Sequence, residues 1–311
     1  MMEMMASLHH LIIFIIPSPH PMQTHRTLPY LLLAPTLLII GALFLGGVGV
    51  GIVQSLGWLP VVGLRTWTPA YYVALLTGRD FYVSLGVTLY MAVTSTVLAT
   101  VLALAAAMVL RRSFAGRRWL TAIFQLPLPV PHLVSAAGIV LLLTQSGLIA
   151  RVLYAGNVLA RPGEFPALVF DRSYIGAILV YTWKEVPFIG LVVLAVLRSV
   201  GADYEEAAQT LGANAWQRFR YVLLPLVTPG IVSTSIIVFA FLFGSFEIPL
   251  LLGVRYPNTL PVMAYRAYVD PDLTRRPEAM ALGVVITLVV IGLMAIYRRL
   301  VGGSEIGRLG D

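Results

Sequence analysis

Asp203-Tyr-Glu-Glu-Ala-Ala-Gln-Thr-Leu-Gly-Ala-Asn-Ala-Trp-Gln-Arg-Phe-Arg-Tyr-Val-Leu-Leu-Pro225 is a polar-rich stretch set between two strongly apolar ones. It reads as two short helices meeting at a glycine. Asp203 followed three residues later by Glu206 is a capping-box pattern that opens the first helix. Gly212 closes it, because glycine takes the left-handed conformation of a helix end without a steric clash. Asn214 and Gln217 repeat the capping pattern for the second helix. Pro225 stands where a further helix would begin, a position that does not use the missing N–H. Two capped helices around a bend form a rigid element that another protein can grip.

The surroundings of this stretch are those of a membrane protein. Hydrophobic residues make up 59% of the 311 and charged residues 11%, with a mean hydropathy of +0.87. A soluble domain has no use for so much apolar surface. With no cysteine in the chain, disulfides and thiolate metal sites are excluded. The net charge of +7 does not imply nucleic acid, because the arginines flank apolar runs instead of forming one basic face.

Six runs are long enough to cross about 30 Å of hydrocarbon. They are Tyr30 to about Leu56, Phe81 to Leu110, Trp119 to about Thr144, Tyr174 to Leu197, Leu226 to Leu252 and Ala279 to Tyr297. The fold class expected is therefore an all-α membrane protein with six transmembrane helices over residues 28–300, the 199–225 loop included. Residues 301–311 are expected as a tail. Residues 1–27 are expected as a poorly ordered extension, because Pro17, Pro19 and Pro21 break an apolar run too short to span. Met22 is an alternative start, and His9, His10, His20 and His25 are read as tail residues rather than a metal site.

Between the second and third runs, Arg111, Arg112, Arg117 and Arg118 lie in a loop without an acid, which places that loop in the cytoplasm. Six spans then put both termini and the Asp203–Pro225 stretch on the same side. Arginines also occur in the opposite loops (Arg151, Arg161, Arg172, Arg275, Arg276), partly balanced by Glu164, Asp171, Asp270 and Asp272.

Lys184 and Glu185 fall roughly 15 Å into the fourth run at 1.5 Å per residue. Charges at that depth face a protein interior or a wet cavity, so they mark either a translocation pathway or a polar contact between helices. As neighbours in sequence, they are expected on different helix faces. Glu247, near the outer end of the fifth run, either meets cargo or sits at the membrane surface. Pro127, Pro129 and Pro131 either free carbonyls for partners or simply kink the third run.

Catalytic constellations are missing. Lys184 is the only lysine and follows Trp183, so no phosphate-binding Gly-x-x-x-x-Gly-Lys loop exists. His132 has no His-Glu-x-x-His partner set, and Ser146 has neither the glycine two positions before it nor a histidine base downstream.

Glu206-Ala207-Ala208, then Gly212, Val222 and Leu224-Pro225 resemble, in order and spacing, the cytoplasmic "EAA" loop of the permease subunits of binding-protein-dependent ABC importers. Val222 stands where that family's pattern has isoleucine. The resemblance covers about Tyr30 to Tyr297. It implies a multi-pass permease of the cell (inner) membrane, paired with a second permease subunit, two cytoplasmic ATPase subunits and an outer solute-binding protein. ATP and Mg would be held by the ATPase, with no cofactor or metal on this chain and no enzymatic activity of its own. The implied coupling residues are Asp203, Glu205, Glu206, Ala207, Ala208, Gly212, Asn214, Leu224 and Pro225, with Glu206 on the ATPase surface and Gly212 at the bend. The possible pathway residues are Gln145, Lys184, Glu185, Ser245 and Glu247. Gln145-Ser146-Gly147-Leu148-Ile149 and Phe243-Gly244-Ser245-Phe246 are similar to the spermidine/putrescine-type permeases, which gives polyamine as the expected cargo. The alternative is a secondary transporter or another polytopic protein not coupled to ATP. A secondary transporter would need paired inverted repeats with ion-coupling acids, and a membrane-embedded enzyme would need the catalytic groups that are missing.

Overall fold

The computed structural model describes residues 28–200 and 203–306. The expectation for residues 1–27 lies outside the described residues, as does the part of the expected tail after residue 306. The described residues are helical apart from turns and one isolated antiparallel bridge, Leu59 with Leu64. Six helices are long and apolar enough to cross a membrane.

The chain divides into two units, residues 1–50 and 51–311. The first contains most of α1 (Leu28–Ser55), an apolar helix with Pro35 in its interior and largely exposed side chains from Tyr30 to Leu45.

In the second unit the chain runs through α2 (Ala70–Thr77), α3 (Arg79–Leu110), α4 (Arg117–Gln125), α5 (His132–Leu143), α6 (Leu148–Ala155) and α7 (Ile175–Val200). It continues through α8 (Asp203–Thr210), α9 (Ala215–Arg218), α10 (Leu224–Gly244), α11 (Glu247–Leu252), α12 (Leu260–Tyr268) and α13 (Arg276–Ile306). The tail expected from residue 301 therefore begins as helix.

α7 is the central span of this unit: 67% of its most apolar stretch is buried, against 33% or less for α3, α10 and α13. It packs chiefly on α3, and the sequence of α3 explains why. Ser84, Thr88, Ala92, Thr96, Ala99, Ala103 and Ala107 recur every three or four residues, and all are buried. Small side chains on one helix face let two backbones approach closely in lipid, where packing rather than water exclusion holds helices together. Two hydroxyls on this face tie α3 to its neighbours, while the buried Ser95 hydroxyl has no hydrogen-bond partner. Thr88 Oγ1 donates to the Ser84 carbonyl at 2.6 Å and accepts from Leu260 N at 2.9 Å, which ties α12 to α3. Thr100 Oγ1 and Ser235 Oγ lie 3.0 Å apart and join α3 to α10.

Two spans differ from the sequence expectation. The third begins at His132 instead of Trp119 and extends through α6 to Ala155. Helix interrupted by prolines loses the bonds their N–H groups would make. α4 accordingly stops at Gln125, residues 126–130 form turns, and helix resumes after Pro131 in extended conformation. α4 is a separate short helix with Trp119 and Ile123 exposed.

The fifth span begins earlier than expected. Pro225 does not start a separate helix, because α9 continues into α10 through a widened π turn at Phe219–Leu223. The ring of a helical proline collides with the carbonyl four residues back, here that of Tyr221, and a π turn relieves that collision by adding a residue. The same span ends at Gly244; Ser245 is extended, and residues expected within the span form α11.

Candidate functional site

The Asp203–Pro225 stretch is held by three local devices and one distant contact. α8 begins at Asp203, so Asp203, Glu205 and Glu206 occupy its first turn, where acids suit the positive end of the helix dipole. At its other end Gly212 N donates to Gln209 O at 2.9 Å and Ala213 N to Ala208 O at 3.0 Å. These two bonds form a Schellman ending, which requires the left-handed residue between them. Gly212 supplies it, with φ +83°. A β-carbon there would meet nothing within 4 Å, so the requirement for glycine is conformational and not one of space.

Asn214 then caps α9 as its spacing predicts. Gln217 N donates to Asn214 Oδ1 at 2.9 Å, and Asn214 N donates to Gln217 Oε1 at 2.8 Å. Leu224 is half-buried and Pro225 exposed at the start of α10, beyond the π turn.

The distant contact comes from Glu205. Arg111, at the end of α3, grips its carboxylate with both guanidinium nitrogens, at 2.8 and 2.9 Å. Arg218 on α9 adds a longer contact of 3.8 Å. The hydrogen bond from Arg111 holds the Glu205 carboxyl below the usual carboxylate range, against the opposing effect of burial. Glu205 thus joins α3, α8 and α9. It also places the arginine loop and α8 at the same end of the molecule.

In the sequence Glu205 stands out as a coupling residue, but nothing local pairs it with Arg111. The signal was present in the loop sides: an arginine ends one span, and an acid opens a helix expected on the same face.

The outward surface of this element combines Glu206 and Ala207 with exposed apolar groups. Leu211 is 88% exposed, Tyr221 72%, Trp216 67% and Tyr204 60%. Ala208 is half-buried behind them. Large apolar side chains presented on a rigid polar element are the composition of a protein-binding surface.

The polar residues within the spans form a second group. Lys184 and Glu185, expected on different faces, both turn toward the proline-rich break between α4 and α5. Lys184 Nζ donates to the carbonyls of Pro127, at 2.6 Å, and Val130, with Leu128 O at 3.5 Å. Glu185 Oε1 lies 3.5 Å from His132 Nε2, and the His132 ring packs on Phe241 with centroids 5.1 Å apart.

Glu247 lies three residues beyond Gly244, where the fifth span ends. It begins α11, within electrostatic reach of His132 and Tyr181. The buried Tyr181 hydroxyl lies beside Ser245 without a hydrogen bond. Gln145 stands apart, beyond the far end of α5, where its Nε2 donates to the carbonyls of Gly163 and Phe165 at 3.1 and 3.0 Å. His132 and Tyr181 had no pattern in the sequence to mark them, since both are single residues in apolar runs.

Comparison with known proteins adds identity to this geometry. The profile of the family described as "Binding-protein-dependent transport system inner membrane component" matches residues 99–303. The molybdenum transport system permease protein ModB of Mycobacterium tuberculosis is 33% identical over 243 residues, 76% of this chain and 87% of the relative. The sulfate transport system permease protein CysW of Synechococcus elongatus is 29% identical over 235 residues, 74% and 79% of the two chains. In fold, the chain is similar to a bacterial ABC transporter involved in import of the acidic polysaccharide alginate. That likeness has a TM-score of 0.74 and 21% identity over 88% of this chain and 94% of the other.

Proposed function

The chain belongs to the family of inner membrane components of binding-protein-dependent transport systems, and from that premise we propose a specific role for it within an ATP-driven importer. The family supplies a permease subunit rather than an enzyme. In our reading a second permease subunit completes the pathway, a solute-binding protein delivers cargo outside, and ATP with Mg sits on a separate ATPase. The Asp203–Pro225 stretch seats in that ATPase through Glu206, Ala207, Leu211 and Trp216. The observation that carries this is the Arg111–Glu205 pair with the Schellman ending at Gly212, which present exposed Leu211 and Trp216 on a stiff element.

The cargo proposed is a tetrahedral oxyanion of the sulfate or molybdate class. ModB and CysW, matched over about three quarters of this chain, support it. The polyamine expectation has no such support, and the alginate transporter bears on the fold alone. Ser245 and Glu247, half-buried at the break after α10, are the pathway candidates of this reading. Lys184 and Glu185 have protein partners in the conformation described.

The test uses the complex reconstituted with its ATPase and binding protein, supplied with molybdate, sulfate, maltose or spermidine. Stimulation of ATP hydrolysis by an oxyanion is expected. Stimulation by spermidine or maltose alone would overturn the cargo, while leaving the permease role intact.

The proposed topology places both termini, the Arg111–Arg118 loop and α8 in the cytoplasm. Reporter fusions at Phe114 and Asn157 are expected on opposite sides of the membrane. The same side for both would refute the six-span arrangement.

A further inference from the structure

Prolines at 127, 129 and 131 leave the break between α4 and α5 poor in backbone donors. In a continuous helix the Pro127 carbonyl would accept from the N–H of residue 131, which is a proline and has none. It receives a 3.3 Å turn bond from Val130 N and, at 2.6 Å, a charged donor from another helix, Lys184 Nζ. Lys184 also reaches the Val130 carbonyl, and it is buried.

α7 holds this break at three successive places. Before it, Gly190 lies so close to Phe124 of α4 that a β-carbon would come within 2.5 Å of the ring. Within it, Lys184 takes the freed carbonyls. After it, Glu185 faces His132, the first residue of α5. Only residues 201 and 202 separate α7 from α8, which bears the proposed ATPase contact.

We propose that Lys184 is the positioning residue that makes the α4–α5 break move as one body with α7, so that displacement of α8 reaches α5. This rests on the importer reading above. Lys184 acts through backbone carbonyls and needs no contact with cargo. An ammonium group bonded to carbonyls away from water makes a strong contact, and methionine, of similar length, removes the donor while keeping the bulk.

The chain has no cysteine, so spin labels can be placed without background. Ile123→Cys on α4 and Leu179→Cys on α7 are both at exposed positions. In the complex with ATPase and binding protein, this pair is expected to keep one interspin distance with and without ATP and vanadate. Lys184→Met should make that distance depend on nucleotide and should lower transport per ATP by about tenfold, the scale of one charge-assisted hydrogen bond. Lys184→Arg should restore both. A nucleotide-dependent distance in the chain that keeps Lys184 would overturn the proposal, as would an unchanged distance and unchanged coupling in Lys184→Met. If Lys184→Met does not assemble, the label pair in the Lys184 chain decides alone. A label at Thr210→Cys on α8 reports separately on ATPase engagement. No change there when ATPase is added would overturn the importer reading, and this proposal with it.

Discussion

Gly212→Val is expected to abolish stimulation of ATP hydrolysis by cargo-loaded binding protein, with the spans still inserted. The backbone at this position has φ +83°, where a β-carbon crowds the following carbonyl by about 1–2 kcal/mol. The surroundings are open, so nothing compensates and nothing clashes; the strain is the conformation itself. Relief requires losing the Gly212–Gln209 and Ala213–Ala208 bonds, and α9 then leaves its angle to α8. Spans held by packing in lipid do not depend on this turn. Gly212→Asn should retain much of the coupling, since asparagine tolerates the left-handed region better than branched residues do. The measurement is ATPase activity in vesicles with and without loaded binding protein. Full stimulation in Gly212→Val would mean that this bend does not transmit the signal.

Glu205→Arg is the second substitution expected to have a large effect. It puts a cation between Arg111 and Arg218, replacing the contact that ties α8 to the end of α3. The native pair is half-buried and two-pronged, so it belongs at the upper end of the range for surface pairs, about 1 kcal/mol. Neutralising it with Glu205→Gln should raise hydrogen exchange of the α8 amides about fivefold, the factor that 1 kcal/mol corresponds to. Reversal should exceed that and prevent co-purification of the ATPase, and a second change, Arg111→Glu, should recover part of the loss. Equal exchange in native and Glu205→Gln chains would remove Glu205 as the anchor. The pH dependence has a fixed sign. Folding lowers the Glu205 pKa, so the stabilisation is fully present above the unfolded carboxylate value of about 4.3. It is lost as pH falls through the lower folded value. The protection of the α8 amides relative to their intrinsic exchange rate at each pH should therefore be constant near neutral pH and should fall under acid conditions.

Where periodicity and capping decide the structure, the sequence was a good guide. Phe81–Leu110 falls inside α3, the expected Tyr174–Leu197 run starts one residue before α7, and the Asn214–Gln217 spacing became a capping box. These features depend on residues close together in the chain. The third span was misplaced because hydropathy alone does not register that Pro127, Pro129 and Pro131 divide an apolar run into two helices at different settings. The fifth was misread for the opposite reason: Pro225 looked like a boundary, yet a π turn carried the helix through it.

The candidate site was legible as a motif and illegible as a contact set. Glu205 could be named, but its attachment to Arg111 joins positions 94 residues apart. Lys184 could be identified as a charge in lipid, while its partners are backbone atoms, which carry no residue-type signal.

The π turn at Phe219–Leu223 also makes helix direction a matter of residue count. It contains one residue more than an α-helical turn would use. Without that residue, α9 would rotate by about 100° around the axis of α10 and shift by about 1.5 Å. Trp216, 67% exposed on α9, would then look out from another side of the same span. The bearing of the proposed docking surface on the membrane helix is thus written in the length of the chain between them, and no individual side chain in the turn needs to encode it.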